Sequence, residues 1–268
     1  MRYKPVIYPL LLLFSLLAFF SCQTGGEDTV DLKEIETVKN LTQSHKDFIV
    51  DFYPSAVEAN KHIMLQRAML IDLRNDYRHV IIKKRKLSEL NKLAEEYRFG
   101  DDYFSDETSR ETYANQIDTL LFYVDYIPEK LVMAQAVIES GWGRSKFARE
   151  INNYFGIHCY TPGCGRPPAN VENPRFWVKS FPTIEACIEE YLWLLNTGFA
   201  YKGLRQKRQE LRNSNDYPDA KALAQGLIRY SEKGDEYIKL INSIINNYLP
   251  ENLEAFVAHA RKQAQPSS

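Results

Sequence analysis

Glu139 is the side chain best placed to move a proton. It closes a stretch, Glu129 to Glu139, that follows Pro128 and stops at Ser140-Gly141-Trp142-Gly143. Proline is tolerated in the first turn of a helix, and glycines suit a helix C-cap and a tight turn. The stretch therefore predicts a helix with Glu139 at its C-terminal end. Val132, Ala136 and Glu139 are spaced i, i+4, i+7 and share one face. A carboxyl that continues an apolar stripe is poorly solvated, which raises its pKa. The negative end of the helix dipole disfavours ionisation again. Both effects keep the proton on near neutral pH, the state a general acid needs. Gln135, one turn earlier, is the side chain expected to orient it. A lone glutamate at a helix end is most often unremarkable, and composition alone does not choose between the two readings.

The N-terminus places this chemistry in a compartment. Arg2 and Lys4 form a short cationic region, and Val6 to Phe20 is an uncharged apolar run. About 15 residues fall short of the ~20 that span a bilayer as a helix. Small Ser21 stands directly before Cys22, followed by polar Gln23-Thr24-Gly25-Gly26. This reads as an export signal, and it resembles a bacterial lipoprotein signal in which Cys22 would carry lipid. Phe19 stands where that pattern prefers leucine. A plain cleaved signal with a free Cys22 is the alternative. Acyl chains on Cys22 would exceed the two-chain threshold for stable anchoring.

Export puts the other cysteines under oxidising conditions. Cys159-Tyr-Thr-Pro-Gly-Cys164 is a turn-rich hexapeptide in which Pro162-Gly163 can fold the chain back. A local disulfide would stabilise by roughly 2 kcal/mol. The rival is a zinc site, for which four ligands at metal spacing are missing. The histidines at 45, 62, 79, 158 and 259 are scattered, without an HExxH pair. Cys187 lies on an apolar helical stripe and reads as an inert core thiol. No metal or organic cofactor is implied.

The elements that must hold Glu139 are mostly helices. With 268 residues, 44% hydrophobic and 13% aromatic, the chain can build one sizeable core plus accessory helices. A net charge of −1 and the lack of a basic run with interleaved aromatics argue against nucleic acid as a partner. Residues 1–22 are the signal and 23–44 a polar tether. Helical periodicity over Phe48–Asp76, Leu87–Tyr97 and Tyr113–Tyr126 makes 45–125 a helical accessory segment. Beyond the helix of Glu139, Lys146–Glu150 is a short helix and Asn152–Pro174 a loop. Arg175 to Phe181 alternates enough for one strand of a small hairpin. Helices follow at Thr183–Leu195, Tyr201–Arg212, Ala220–Ile228 and Asp235–Tyr248. The tail, 251–268, is amphipathic and then frays.

Three motifs sharpen this reading. Ala134-Gln-Ala-Val-Ile-Glu-Ser-Gly-Trp-Gly143, Asn152-Asn-Tyr-Phe-Gly-Ile157 and Tyr230-Ser-Glu-Lys-Gly-Asp-Glu-Tyr237 occur in this order. Together they resemble the bacterial glucosaminidase family (glycoside hydrolase family 73, lysozyme-like). The resemblance extends to the Bax-like branch through the Cys159/Cys164 loop and a helix running from Leu195-Asn196 through Ala200-Tyr201 to Leu204-Arg205. It covers about Phe48 to Tyr248.

The resemblance implies a mainly α, lysozyme-like domain over 126–250 with one small β-hairpin. It implies a peptidoglycan hydrolase, an endo-β-N-acetylglucosaminidase cutting β-1,4 bonds of glycan strands with Glu139 as general acid. Trp142, Asn153, Phe155 and Tyr230 are the implied substrate-binding residues, with Gly156 allowing close backbone approach. Tyr237 and His158 are assigned to packing or surface. Glycosidases usually pair two carboxyls, roughly 6.5–9.5 Å or roughly 5–5.5 Å apart. Glu172, on the hairpin-like stretch, is the first candidate partner and Glu185 the second. Without either, the substrate's N-acetyl group would act as internal nucleophile, or the enzyme would be a lytic transglycosylase. A catalytically idle, wall-binding lipoprotein is the rival from another class. A monomer is expected, tethered at Cys22 to the periplasmic face of the outer membrane in a cell with two membranes.

Overall fold

A computed structural model describes residues 38, 41–76, 84–167, 174–214, 217–228 and 234–264. Cys22, Glu172 and Tyr230 lie outside these residues. The fold is mainly α. Helix α1 spans Gln43–Asp76, α2 Lys84–Glu96, α3 Arg110–Tyr123, α4 Glu129–Ser140 and α5 Lys146–Ile151. Three short strands follow, β1 His158–Cys159, β2 Gly165–Arg166 and β3 Trp177–Lys179. Then come α6 Ile184–Thr197, α7 Lys202–Asn213, α8 Ala220–Ala224, α9 Asp235–Tyr248 and α10 Leu253–Ala264. Single 3-10 turns lie at Phe199–Tyr201 and Gln225–Leu227. Among the described residues, no helix is long and apolar enough to cross a membrane.

Helix α4 is the axis of the fold. Leu131 through Val137 are all buried, so this helix is apolar on every side and needs neighbours all round. Helix α9 packs along it, and α1 covers another side while also packing on α3 and α6. The expected accessory segment therefore supplies walls of the same core: Phe52, Ile117 and Leu120 join Leu131, Met133 and Ile241 in one hydrophobic cluster. Buried Asn60 of α1 stitches this junction. Its amide donates to the Ile127 carbonyl at 2.7 Å and to Glu129 Oε1 at 2.9 Å, and its oxygen accepts from Ile127 N–H. Three of its hydrogen-bonding positions are thus filled across 67 or more residues of chain.

The sheet is antiparallel, in the order β1-β3-β2. His158 pairs with Val178 and Cys159 with Trp177, while Gly165 pairs with Lys179. The expected strand over Arg175–Phe181 is thus the middle one of three, shorter than anticipated. Strands β1 and β2 have two residues each, too few for any alternation to register in the sequence. A disulfide joins Cys159 and Cys164, whose Cα atoms are 6.3 Å apart. Cys187 is free and buried, and burial pushes its thiol up to about 12.

The helix expected over Ala220–Ile228 is divided, with α8 giving way to a 3-10 turn. Gly226 in that turn lies against α7: a methyl group on Gly203 would sit 2.9 Å from the Gly226 carbonyl oxygen. Two glycines let the backbones of the two elements touch.

Candidate active site

The end of α4 is shaped by a run of left-handed residues. Gly141, Trp142 and Gly143 have φ of 59°, 62° and 70°. Glycine adopts this conformation freely, but for an L-residue such as tryptophan it costs about 1–2 kcal/mol. Ser140 holds the turn: its hydroxyl donates to the Ala136 carbonyl at 2.6 Å and accepts from Gly143 N–H at 2.8 Å. The chain therefore leaves the helix sharply just after Glu139. Most of the helix is enclosed, yet Glu139 is exposed. A general acid needs that access, since its proton must reach a bound molecule.

Exposure does not make its surroundings aqueous. Packing around the carboxyl still displaces enough water to raise Glu139 above the ordinary glutamate range, against a hydrogen bond from Tyr237 that lowers it. Tyr237, in the first turn of α9, donates from its hydroxyl to Glu139 Oε1 at 3.3 Å. Behind it, the Gln135 amide donates to the same hydroxyl at 3.3 Å. The Tyr237 hydroxyl accepts from Gln135 and donates to Glu139. Gln135 thus orients the acid through Tyr237 rather than by direct contact. Among the described residues the buried Gln135 Oε1 finds no hydrogen-bond partner.

Tyr237 had been assigned to packing, and it does fill the core at 5% exposure. A signal for its second role was available. Tyr237, Ile238, Ile241 and Ile245 form the buried stripe of α9, and a phenol on such a stripe must find a polar partner. Gln135 and Glu139, spaced i, i+4 on one face, are two such partners.

Three residues expected at the substrate are held by close contacts within the fold. Trp142 is half-buried and closed on one ring face by His45, stacked at 4.0 Å, with Phe48 and Tyr248 at its edges. Through that face it anchors the start of α1. Asn153 donates to the carbonyls of Ile157 and Lys179, both at 2.8 Å, and accepts from the N–H groups of Phe155 and Ile157. Its amide is fully used in tying the Phe-Gly loop to β3. Phe155 is buried and stacked on Tyr191 at 3.7 Å. Gly156 has φ +67° with open space where a Cβ would be, so the left-handed conformation selects glycine there and close approach does not.

Glu185 sits exposed in the first turn of α6. Among the described residues, burial and the Tyr237 hydrogen bond are the influences on the Glu139 proton. His158 is exposed and stacks on Phe176 at 4.3 Å. Among the described residues, no three His, Cys, Asp or Glu side chains gather as a metal site.

Against known proteins, residues 124–250 match the glucosaminidase family model, described as mannosyl-glycoprotein endo-beta-N-acetylglucosaminidase. The chain is 36% identical over 146 residues to Protein bax of Escherichia coli (strain K12), a match covering 53% of this chain and 49% of that one. It thus spans about half the length of that curated relative. No solved structure matches it significantly.

Proposed function

The chain is a Bax-like member of the glucosaminidase family, and from that premise we propose that it hydrolyses β-1,4 bonds of peptidoglycan strands as an endo-β-N-acetylglucosaminidase. Glu139 protonates the departing glycosidic oxygen. The observation that carries this reading is one accessible carboxyl, raised by burial, at the end of an enclosed helix and hydrogen-bonded by Tyr237. The two opposing influences suit an acid that must hold its proton and then release it. After transfer, the Tyr237 hydroxyl is already aimed at the new carboxylate. The signal at residues 1–22 supports export, and Cys22 a lipid tether on the periplasmic face of the outer membrane, with the chain acting as a monomer.

One accessible carboxyl held by a tyrosine hydroxyl also supports a second reading, a lytic transglycosylase in which Glu139 acts as acid and then as base. Product analysis separates the two. Mass spectrometry of fragments released from purified walls gives reducing N-acetylglucosamine ends for the hydrolase and anhydro-muramyl ends for the transglycosylase. Glu139→Gln is expected to lower turnover by about 10²–10⁴-fold, the usual share of a general acid. Equal wall clearing by wild type and Glu139→Gln would end both enzymatic readings in favour of an idle wall-binding protein.

A further inference from the structure

A concavity lies apart from the Glu139 site. It is a cleft of about 510 Å3 between α7 and the 3-10 turn Gln225–Leu227, lined by Phe199, Lys202, Gln206, Gln225 and Ile228 among others. Its floor is the Gly203–Gly226 backbone contact, which keeps side chains off the trough. Phe199 is 89% exposed and Ile228 43% exposed. A phenylalanine that bare has no role in the core.

Part of the polar rim is unused as well, beside Lys207 and Glu210, which pair with each other at 3.2 Å. Lys202, Gln206 and Gln225 are exposed, and among the described residues none of their side chains makes a hydrogen bond or ion pair. Lys202 and Gln206 are one turn apart on the outer face of α7, whose inner face buries Leu204, Arg205 and Arg208. An open aromatic face, two free amides and one free ammonium around a trough make a matched set for an acetamido sugar. The ring packs on the apolar face of a pyranose, amides bond acetamido and hydroxyl groups, and a cation meets a carboxylate.

The cleft also adjoins the helix that carries Tyr237. A Cβ on Gly234 would be 3.7 Å from the Ile228 carbonyl oxygen, so the cleft rim abuts the start of α9. Tyr237 follows within roughly one helical turn, about 5 Å along that helix.

We propose that this cleft is a remote subsite for the N-acetylated glycan, with Phe199 as its platform, Gln206 and Gln225 as its hydrogen-bonding groups and Lys202 facing carboxylates of the peptide substituent. The proposal rests on the glycan reading of the Glu139 site. Its test uses the full chain carrying Glu139→Gln and reads binding alone. An N-acetylglucosamine hexamer is titrated calorimetrically into this protein and into versions that add Phe199→Ala or Gln206→Ala. All sites changed are exposed, and unchanged thermal melts verify the fold. Phe199→Ala is expected to weaken binding about three- to tenfold, the worth of one aromatic contact, and Gln206→Ala about threefold. In an otherwise wild-type chain, Phe199→Ala should raise KM on long strands and leave kcat unchanged.

Unchanged hexamer affinity, or no binding by the parent at millimolar sugar, overturns the proposal. So does an outcome in which Phe199→Ala abolishes sedimentation with anionic phospholipid vesicles while hexamer affinity stays the same, since the patch would then be a membrane contact. Weakened hexamer binding together with no released products in wild type would retain the subsite and sink only the proposed hydrolysis.

Discussion

Two carboxylates flank helix α4, and the chain treats them in opposite ways. Asp125, just before the helix, is 2% exposed. Arg212 approaches it at 2.7 Å, Arg67 at 3.4 Å and Arg208 at 3.5 Å. Tyr126 N–H donates to it as well, at 2.8 Å. Glu139, at the other end, is exposed and receives one 3.3 Å hydrogen bond from a tyrosine. A charge that holds a fold together is surrounded with donors, because a buried ion left unpaired is heavily penalised. A group that must give up a proton is left short of them, so that neither protonation state is locked.

The arginines around Asp125 do more than balance charge. Arg208 is 1% exposed and donates to the carbonyls of Phe122, Tyr123 and Asp125. Arg67 donates to those of Leu121 and Val124. Together they satisfy the orphan carbonyls at the C-terminal end of α3. Asp125→Ala would leave this cationic cluster without its anion. It is expected to destabilise the protein by about 3–5 kcal/mol, read as a lowered denaturation midpoint at constant slope. A loss below ~1 kcal/mol would mean that carbonyls alone satisfy the guanidinium groups, and the contrast between the two ends of α4 would lose its structural half.

The two ends also differed in how readable they were. The helix of Glu139, its stop at Gly141 and the raised state of its carboxyl follow from local spacing, and the structure reproduces each. Asp125 was invisible. Arg205, Arg208 and Arg212 lie on one helical face, and a basic stripe ordinarily faces water. Burying it requires one aspartate and a set of carbonyls more than 80 residues earlier in the chain. The Leu195-Asn196 to Leu204-Arg205 motif, noticed only as a likeness, belongs to the same knot. Asn196 donates to the Asp125 carbonyl, and Arg205 to those of Leu195 and Gly198. The packing partners of Trp142 and Asn153 were hidden for a related reason. A residue type that often meets sugars looks identical in sequence when its face or its amide is already taken by a neighbour distant along the chain.

The catalytic half of the contrast can be sharpened at Tyr237. Tyr237→Phe keeps the buried ring and removes the hydroxyl that lowers the Glu139 pKa. The carboxyl should then hold its proton to higher pH, so the alkaline limb of the kcat/KM profile moves upward. A rate loss of roughly tenfold is expected beside it, because the acid loses its orienting hydrogen bond. Gln135→Leu should move the limb in the same direction by a smaller amount, since it acts through the Tyr237 hydroxyl. A limb that stays in place, or moves to lower pH, would mean that Tyr237 does not hold the acid.

The smallest effect is on stability, and its sign reports on the Glu139 end of the helix. With its pKa raised in the folded chain, Glu139 keeps its proton over a window where the unfolded chain has lost it. Its contribution to stability is therefore fully present below the ordinary glutamate range and fades as pH climbs through the raised value. Glu139→Gln removes that dependence and retains an oxygen able to accept from Tyr237. The variant should melt level with wild type near pH 4 and above it near pH 8. Water reaches the exposed carboxyl, so the gain at the higher pH is held to about 0.5 kcal/mol. A variant less stable than wild type at pH 8 would reverse the assignment, because the ionised Glu139 carboxylate would then be supporting the fold.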